Sequence, residues 1–231
     1  MTGQPARDWP SPNHGVRRGG VRPSLIVLHY TGMATCAEAR ARLCDPAAEV
    51  SAHWLSSEGG AAEALVPEDR RAWHAGAGEW GGVTDVNSHS IGVELANPGD
   101  RPFPEAQMAA LERLLAGIMA RWQIAARGVI AHSDMAPSRK GDPGRRFDWR
   151  RLALQGLAVW PGPGEPGDLR ADLRAFGYPA APQADLLTAF RLRFRPWGEG
   201  PLSEADAALA AGLRGLAVDP YGGVRCSDGV S

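Results

Sequence analysis

Cysteine is scarce in this chain, and the few present do not pair by spacing. Cys36, Cys44 and Cys226 are odd in number and form no C-x-x-C motif, which argues against a disulfide framework and leaves reduced, partly buried thiols as the expectation. Cys36 and Cys44 fall about two turns apart on one predicted helix, roughly 12 Å along its axis and too far for a bridge within it. An excess of one charge is missing as well. Lys and Arg number 25 against 26 Asp and Glu, so no long-range field draws the protein toward nucleic acid or an anionic membrane. No apolar run is long enough to span a bilayer, and Met1–Pro23 holds neither an apolar signal core nor a lipid-attachment cysteine. That reads as a cytoplasmic protein, with the periplasm as the alternative.

What is present suits an α/β protein with one good-sized domain and a smaller one. Ser24–Thr31 reads as a buried strand that ends in polar residues, and Thr35 caps a short helix to Leu43. Val50–Leu55 and Ala61–Pro67 form a strand pair around the turn signal Ser57-Glu58-Gly59-Gly60. A Gly/Trp-rich loop then runs from Ala72 to about Val86, long enough to build a binding surface. In the strand Ser90–Leu95, Ile91, Val93 and Leu95 share one face, and Gly92 and Glu94 the other. Pro104–Trp122 keeps helical spacing at Met108, Leu111, Leu115, Ile118 and Trp122. Gly128–Ala131 is a last short strand. Residues 161–167 are a Pro/Gly linker between an expected domain at 1–160 and three amphipathic helices at 168–220, and the tail 221–231 frays, as does the whole stretch from Val218.

The chemistry gathers in V-I-A-H-S-D-M-A-P-S-R-K-G-D, residues 129–142. His132 ends a strand, and the loop beyond Pro137 can return Lys140 and Asp142 toward it. His29 ends another apolar strand in the same way. Two imidazoles and a carboxylate offer three ligands to zinc and leave a fourth position open. Glu94 is then a candidate base and Lys140 a candidate oxyanion partner. Each residue alone has a plainer reading: a core histidine, a turn aspartate before Pro143, a solvated lysine, a glutamate paired with an arginine. Trp73, His74 and Asn97 either line a groove for substrate or pack their loops.

In order along the chain, V-L-H-Y-T, V-S-A-H-W, L-V-P-E, A-W-H-A-G, S-I-G-V-E-L and A-H-S-D-M-A-P-S-R-K-G-D-P-G resemble the zinc-dependent N-acetylmuramoyl-L-alanine amidases of type 2, fold relatives of the peptidoglycan recognition proteins. The resemblance covers about Trp9 to Trp160. It implies a mixed central β-sheet flanked by helices, zinc on His29, His132 and Asp142, Glu94 as base, and Lys140 at the oxyanion. The substrate it implies is peptidoglycan or an anhydromuropeptide, cut between N-acetylmuramic acid and L-alanine. A muropeptide-recognition protein without activity is the alternative, and a zinc peptidase acting on stem peptides a more distant one. D-L-R-A-D-L-R-A-F-G-Y-P, A-F-R-L-R-F-R-P and L-S-E-A-D-A-A-L are similar to a three-helix peptidoglycan-binding module, with Arg191 where that family usually has Gln.

Overall fold

The computed structural model describes residues 7, 8 and 10–216. Cys226 and the tail from Val218 lie outside them. In chain order the strands and helices are β1 (Arg7–Asp8), β2 (His14–Val16), β3 (Leu25–Tyr30), α1 (Cys36–Cys44), β4 (Trp54–Ser56), β5 (Ala62–Ala64), β6 (Arg70–Ala72) and α2 (Val86–His89). They continue with β7 (Ser90–Leu95), α3 (Glu105–Trp122), β8 (Val129–Ala131), α4 (His132–Met135), α5 (Trp149–Leu154), α6 (Leu169–Phe176), α7 (Gln183–Phe194) and α8 (Glu204–Ala211). Side chains that accept from free amides start several helices, as the sequence signals. Thr35 accepts from the Glu38 amide, Asp148 from Arg151 and Asp168 from Ala171, while Ser203 and Asp206 close a reciprocal capping box.

A mixed sheet runs in the order β1-β5-β4-β7-β3-β8, and β2 pairs with β6 in a separate antiparallel ribbon. Only β4 and β5 are antiparallel within the main sheet; the other neighbours run parallel. The fold is therefore the expected mixed sheet flanked by helices. Period-two alternation sorts its residues onto two faces. Ile26, Leu28, Ile91, Val93, Leu95, Val129 and Ala131 pack against Met108, Leu111, Leu115 and Ile118 of α3 and against Trp149 and Leu152 of α5. Leu25, Val27 and Ile130 face the other way. There they join Trp80, Met135 and the apolar sides of α6, α7 and α8 in one cluster that includes Leu173, Phe176, Phe190, Phe194 and Leu213.

Three local readings need correction. The chain does not enter an irregular loop at His132: it makes one helical turn, α4, because Asp134 Oδ2 accepts from the Ala131 amide at 2.8 Å and gives that turn its start. The expected binding loop after Ala72 is only partly that, since Trp80 is buried in the core against Phe176 and Tyr178. Finally, the last of the three helices expected within 168–220 stops at Ala211, and the chain resumes as a single 3-10 turn at Arg214–Leu216. Cys36 and Cys44 are half-buried reduced thiols, as their spacing implies.

Candidate functional site

The parallel trio β7-β3-β8 carries its polar residues at the carboxyl ends of the strands, where open α/β sheets place ligands. By the alternation that buries Leu25 and Val27, His29 emerges on the same face at the end of β3. Register pairs His29 with Glu94 of β7 and Leu28 with Ala131 of β8, so Glu94 and His132 arrive on either side of it. Asp142 comes back on the loop after α4, its carbonyl accepting from the Ser133 amide at 3.1 Å.

Three donor atoms meet there. His29 Nδ1 lies 2.9 Å from His132 Nδ1 and 2.9 Å from Asp142 Oδ2, and His132 Nδ1 lies 3.0 Å from the same oxygen. Both histidines are buried, 1% and 3% exposed, and Asp142 is 8% exposed. His132 turns its other nitrogen to the Ala75 carbonyl at 2.9 Å. A carbonyl can only accept, so His132 directs an Nε2 proton at Ala75 and turns its Nδ1 to the cluster. Burial, reinforced by the neighbouring His132, pushes the His29 imidazole down to about 4, so it is neutral at physiological pH. Among the described residues this is the group of His, Cys, Asp and Glu side chains arranged to hold a metal ion.

A cleft of about 480 Å³ opens over these atoms, and its walls include Trp73, His74, Glu94, Arg139 and Lys140. The Glu94 side chain reaches it from β7. Glu94 Oε2 is buried and makes no hydrogen bond among the described residues. Burial, helped by the Asp142 charge and opposed by Lys140, pushes the Glu94 carboxyl up to about 8. A carboxyl so placed is a proton carrier near neutrality, which is what general acid–base chemistry needs.

The structure thus brings His29, His132, Asp142, Glu94 and Lys140 to one cleft, together with Trp73 and His74. Asn97 lies apart. It is 2% exposed, gives its amide hydrogens to the Arg101 and Pro102 carbonyls and accepts from the Gly99 amide, so it shapes a turn and does not line the cleft. His74 has a second contact that the sequence did not suggest: its Nδ1 meets His29 Nε2 at 3.0 Å. A further group invisible to motif reading is Arg193 of α7. It pairs with Asp134, two residues past His132, while Tyr178 Oη donates to the other Asp134 oxygen at 2.5 Å. A signal for it existed, because position 193 continues the helical spacing of Leu186 and Phe190 and so falls on the buried side.

With this geometry established, comparison with known proteins is specific. The sequence profile of the N-acetylmuramoyl-L-alanine amidases matches residues 19–145. The N-acetylmuramoyl-L-alanine amidase AmiD of Escherichia coli is 37% identical over 188 residues, 68% of this chain and 67% of that protein. The 1,6-anhydro-N-acetylmuramyl-L-alanine amidase AmpD of Enterobacter cloacae is 33% identical over 164 residues, 64% of this chain and 88% of that protein. The solved structure of Escherichia coli AmiD with the substrate anhydro-N-acetylmuramic acid-L-Ala-D-gamma-Glu-L-Lys is similar with a TM-score of 0.77 at 34% identity, across 86% of this chain and 91% of that one. AmpDh3 of Pseudomonas aeruginosa, in complex with an anhydromuramic pentapeptide, gives 0.76 at 29% identity across 86% and 94%.

Proposed function

This chain belongs to the N-acetylmuramoyl-L-alanine amidase family, and from that premise we propose a zinc-dependent enzyme that cleaves 1,6-anhydro-N-acetylmuramic acid from the L-alanine of its stem peptide. The observation that carries the reading is the convergence of His29 Nδ1, His132 Nδ1 and Asp142 Oδ2 beside Glu94 at the ends of three parallel strands. The donor set fits zinc. Imidazole nitrogens and a carboxylate oxygen are its ordinary ligands, and the three donor atoms stand 2.9–3.0 Å from one another. Two nitrogen lone pairs this close repel each other unless a proton or a cation lies between them.

When bound, zinc supplies a Lewis acid that polarises a carbonyl and acidifies water. The remaining work falls to the chain. Glu94 takes a proton from the attacking water as its oxygen bonds to the lactyl carbonyl carbon. It returns that proton to the L-alanine nitrogen as the C–N bond breaks, and the second water proton leaves the new carboxyl group, so the products are a carboxylate and an ammonium. The Lys140 ammonium offsets the charge that builds on the carbonyl oxygen. Trp73 and His74 wall the cleft where the muramyl and peptide parts must enter.

The anhydro form is favoured because the names of AmpD, and of the substrate bound by AmiD, specify it. A soluble anhydromuropeptide fits a recycling role in the cytoplasm, and action on intact wall would fit the periplasm. Residues 1–160 then form the amidase domain and 168–220, after the linker 161–167, the unit similar to a peptidoglycan-binding module. Digestion of anhydromuropeptides and of intact sacculi, with metal quantified and chelator added or omitted, tests the proposal. Chelator-sensitive release of stem peptide from the soluble fragments is the expected result. Binding without release would replace catalysis by recognition, and release from sacculi would move the enzyme to the wall.

A further inference from the structure

We propose that His74 and Ser90 are positioning residues that hold the His29 ring with its Nε2 proton directed at His74 and its Nδ1 toward the cluster. The inference rests on the reading of His29 as a zinc ligand. The relay starts at a backbone carbonyl. Ser90 Oγ lies 2.6 Å from the Val86 carbonyl, to which it can only donate, and a hydroxyl has one proton to give. Toward His74 Nε2, 3.2 Å away, the same oxygen must therefore accept. His74 then carries its proton on Nε2, and its Nδ1 has only a lone pair. That lone pair accepts from His29 Nε2–H at 3.0 Å. With its Nε2 proton directed at His74, His29 turns Nδ1 to the cluster, 2.9 Å from Asp142 Oδ2.

The surroundings leave His74 no alternative. Its ring lies over Gly92, where a Cβ would stand 2.4 Å from His74 Cγ, so the missing side chain makes the space for the imidazole. His53 meets the ring edge-on at 5.7 Å, and its own tautomer is settled: Nδ1 accepts from the Gly92 amide at 2.9 Å and Nε2 donates to the Arg70 carbonyl at 3.0 Å. Asn87 Oδ1 anchors the segment by accepting from the His74 amide at 3.0 Å and the Ala75 amide at 2.9 Å. The next carbonyl, that of Ala75, is the one that holds His132 Nε2. Two consecutive residues therefore set both imidazoles, His74 through its side chain and Ala75 through its backbone. Groups behind metal-bound histidines commonly act in this way and change metal affinity without touching the ion.

The test uses metal-free full-length protein and side-chain nitrogen NMR near pH 7.5, followed by zinc titration against a chromophoric chelator. In the wild type, the Nε2 atoms of His29 and His132 should both carry a proton. His74→Phe fills the space over Gly92 but offers no acceptor; His29 should then populate both tautomers, and zinc affinity should fall roughly 10–100-fold. His74→Asn returns an acceptor near the position of Nδ1 and should recover most of the affinity, which a merely space-filling role would not do. Ser90→Ala is the milder variant, expected to shift the His74 and His29 signals, and it decides the matter if His74→Phe does not fold. A His29 tautomer unchanged in these variants, with zinc affinity within about twofold of wild type, would overturn the proposal. Failure of the wild type to take up zinc would instead strike the metal reading, while the NMR still decides the relay.

Discussion

Replacing Arg193 by Met should reveal how firmly the C-terminal helices are joined to the sheet. The Arg193 and Asp134 side chains are both 0% exposed. The guanidinium also donates to the Val129 carbonyl at 3.1 Å and lies over the Trp149 ring at 4.3 Å. Met preserves much of the apolar volume but leaves the Asp134 carboxylate with two neutral donors, the Ala131 amide and the Tyr178 hydroxyl. Removing one partner of a buried ion pair costs about 3–5 kcal/mol, because the survivor stays desolvated. For a chain of this size 1 kcal/mol corresponds to about 2–4 °C, so the melting temperature should fall by roughly 6–20 °C. The assay is calorimetry with chelator present, so that metal loss does not mix with unfolding. Arg193→Met combined with Asp134→Asn closes a double-mutant cycle, and the pair should fall short of additivity by ~0.5–3 kcal/mol. A variant that melts within 2 °C of wild type, or a wild type that melts in two separate steps, would refute the reasoning.

Three further expectations can be checked by simpler means. Glu94→Gln should bind zinc as wild type does while kcat drops about 10²–10⁴-fold, the usual range for loss of a general base; turnover near wild type would remove Glu94 from the proton transfers. Gly92→Ala drives a methyl into the His74 ring, so chemical denaturation should show a loss of about 1–3 kcal/mol, and zinc affinity should weaken with it. His53 is held down to about 3 by burial, so it stays neutral when folded but takes a proton when unfolded below its ordinary value. Stability should accordingly fall as pH drops from about 6.5 to about 3, by up to ~1.4 kcal/mol per unit from this one group. His53→Gln should flatten that part of the pH profile in urea titrations.

Much of this arrangement is legible in the sequence, and the limits have physical causes. Alternation in Ser90–Leu95 and the apolar run before His29 give the faces of β7 and β3, since burial on one side of a sheet fixes which residues point together. The caps of α1, α5 and α8 are local side-chain chemistry and can be read locally. What escapes is contact between distant segments whose residues have ordinary local roles. His74 looks like a loop residue until Gly92, eighteen positions later, turns out to lack the side chain that would exclude it. Arg193 looks like one of several helix arginines because charge in a sequence does not say whether a carboxylate waits inside. Asn97 shows the converse: groove lining and loop packing were both open for it, and its amide is engaged by its own turn.

The three donors are not equal partners. His29 is the fifth residue of a six-residue strand hydrogen-bonded on both sides, and His132 follows directly on the neighbouring strand. Asp142 instead hangs from a loop, tied to the α4 turn by one backbone bond. An ion gripped by all three would act as a clasp that fastens a loop to the sheet. Stripping it should be felt first between Ala136 and Phe147, with the sheet almost unaware. Hydrogen exchange in that segment would therefore report metal occupancy directly, with no substrate present.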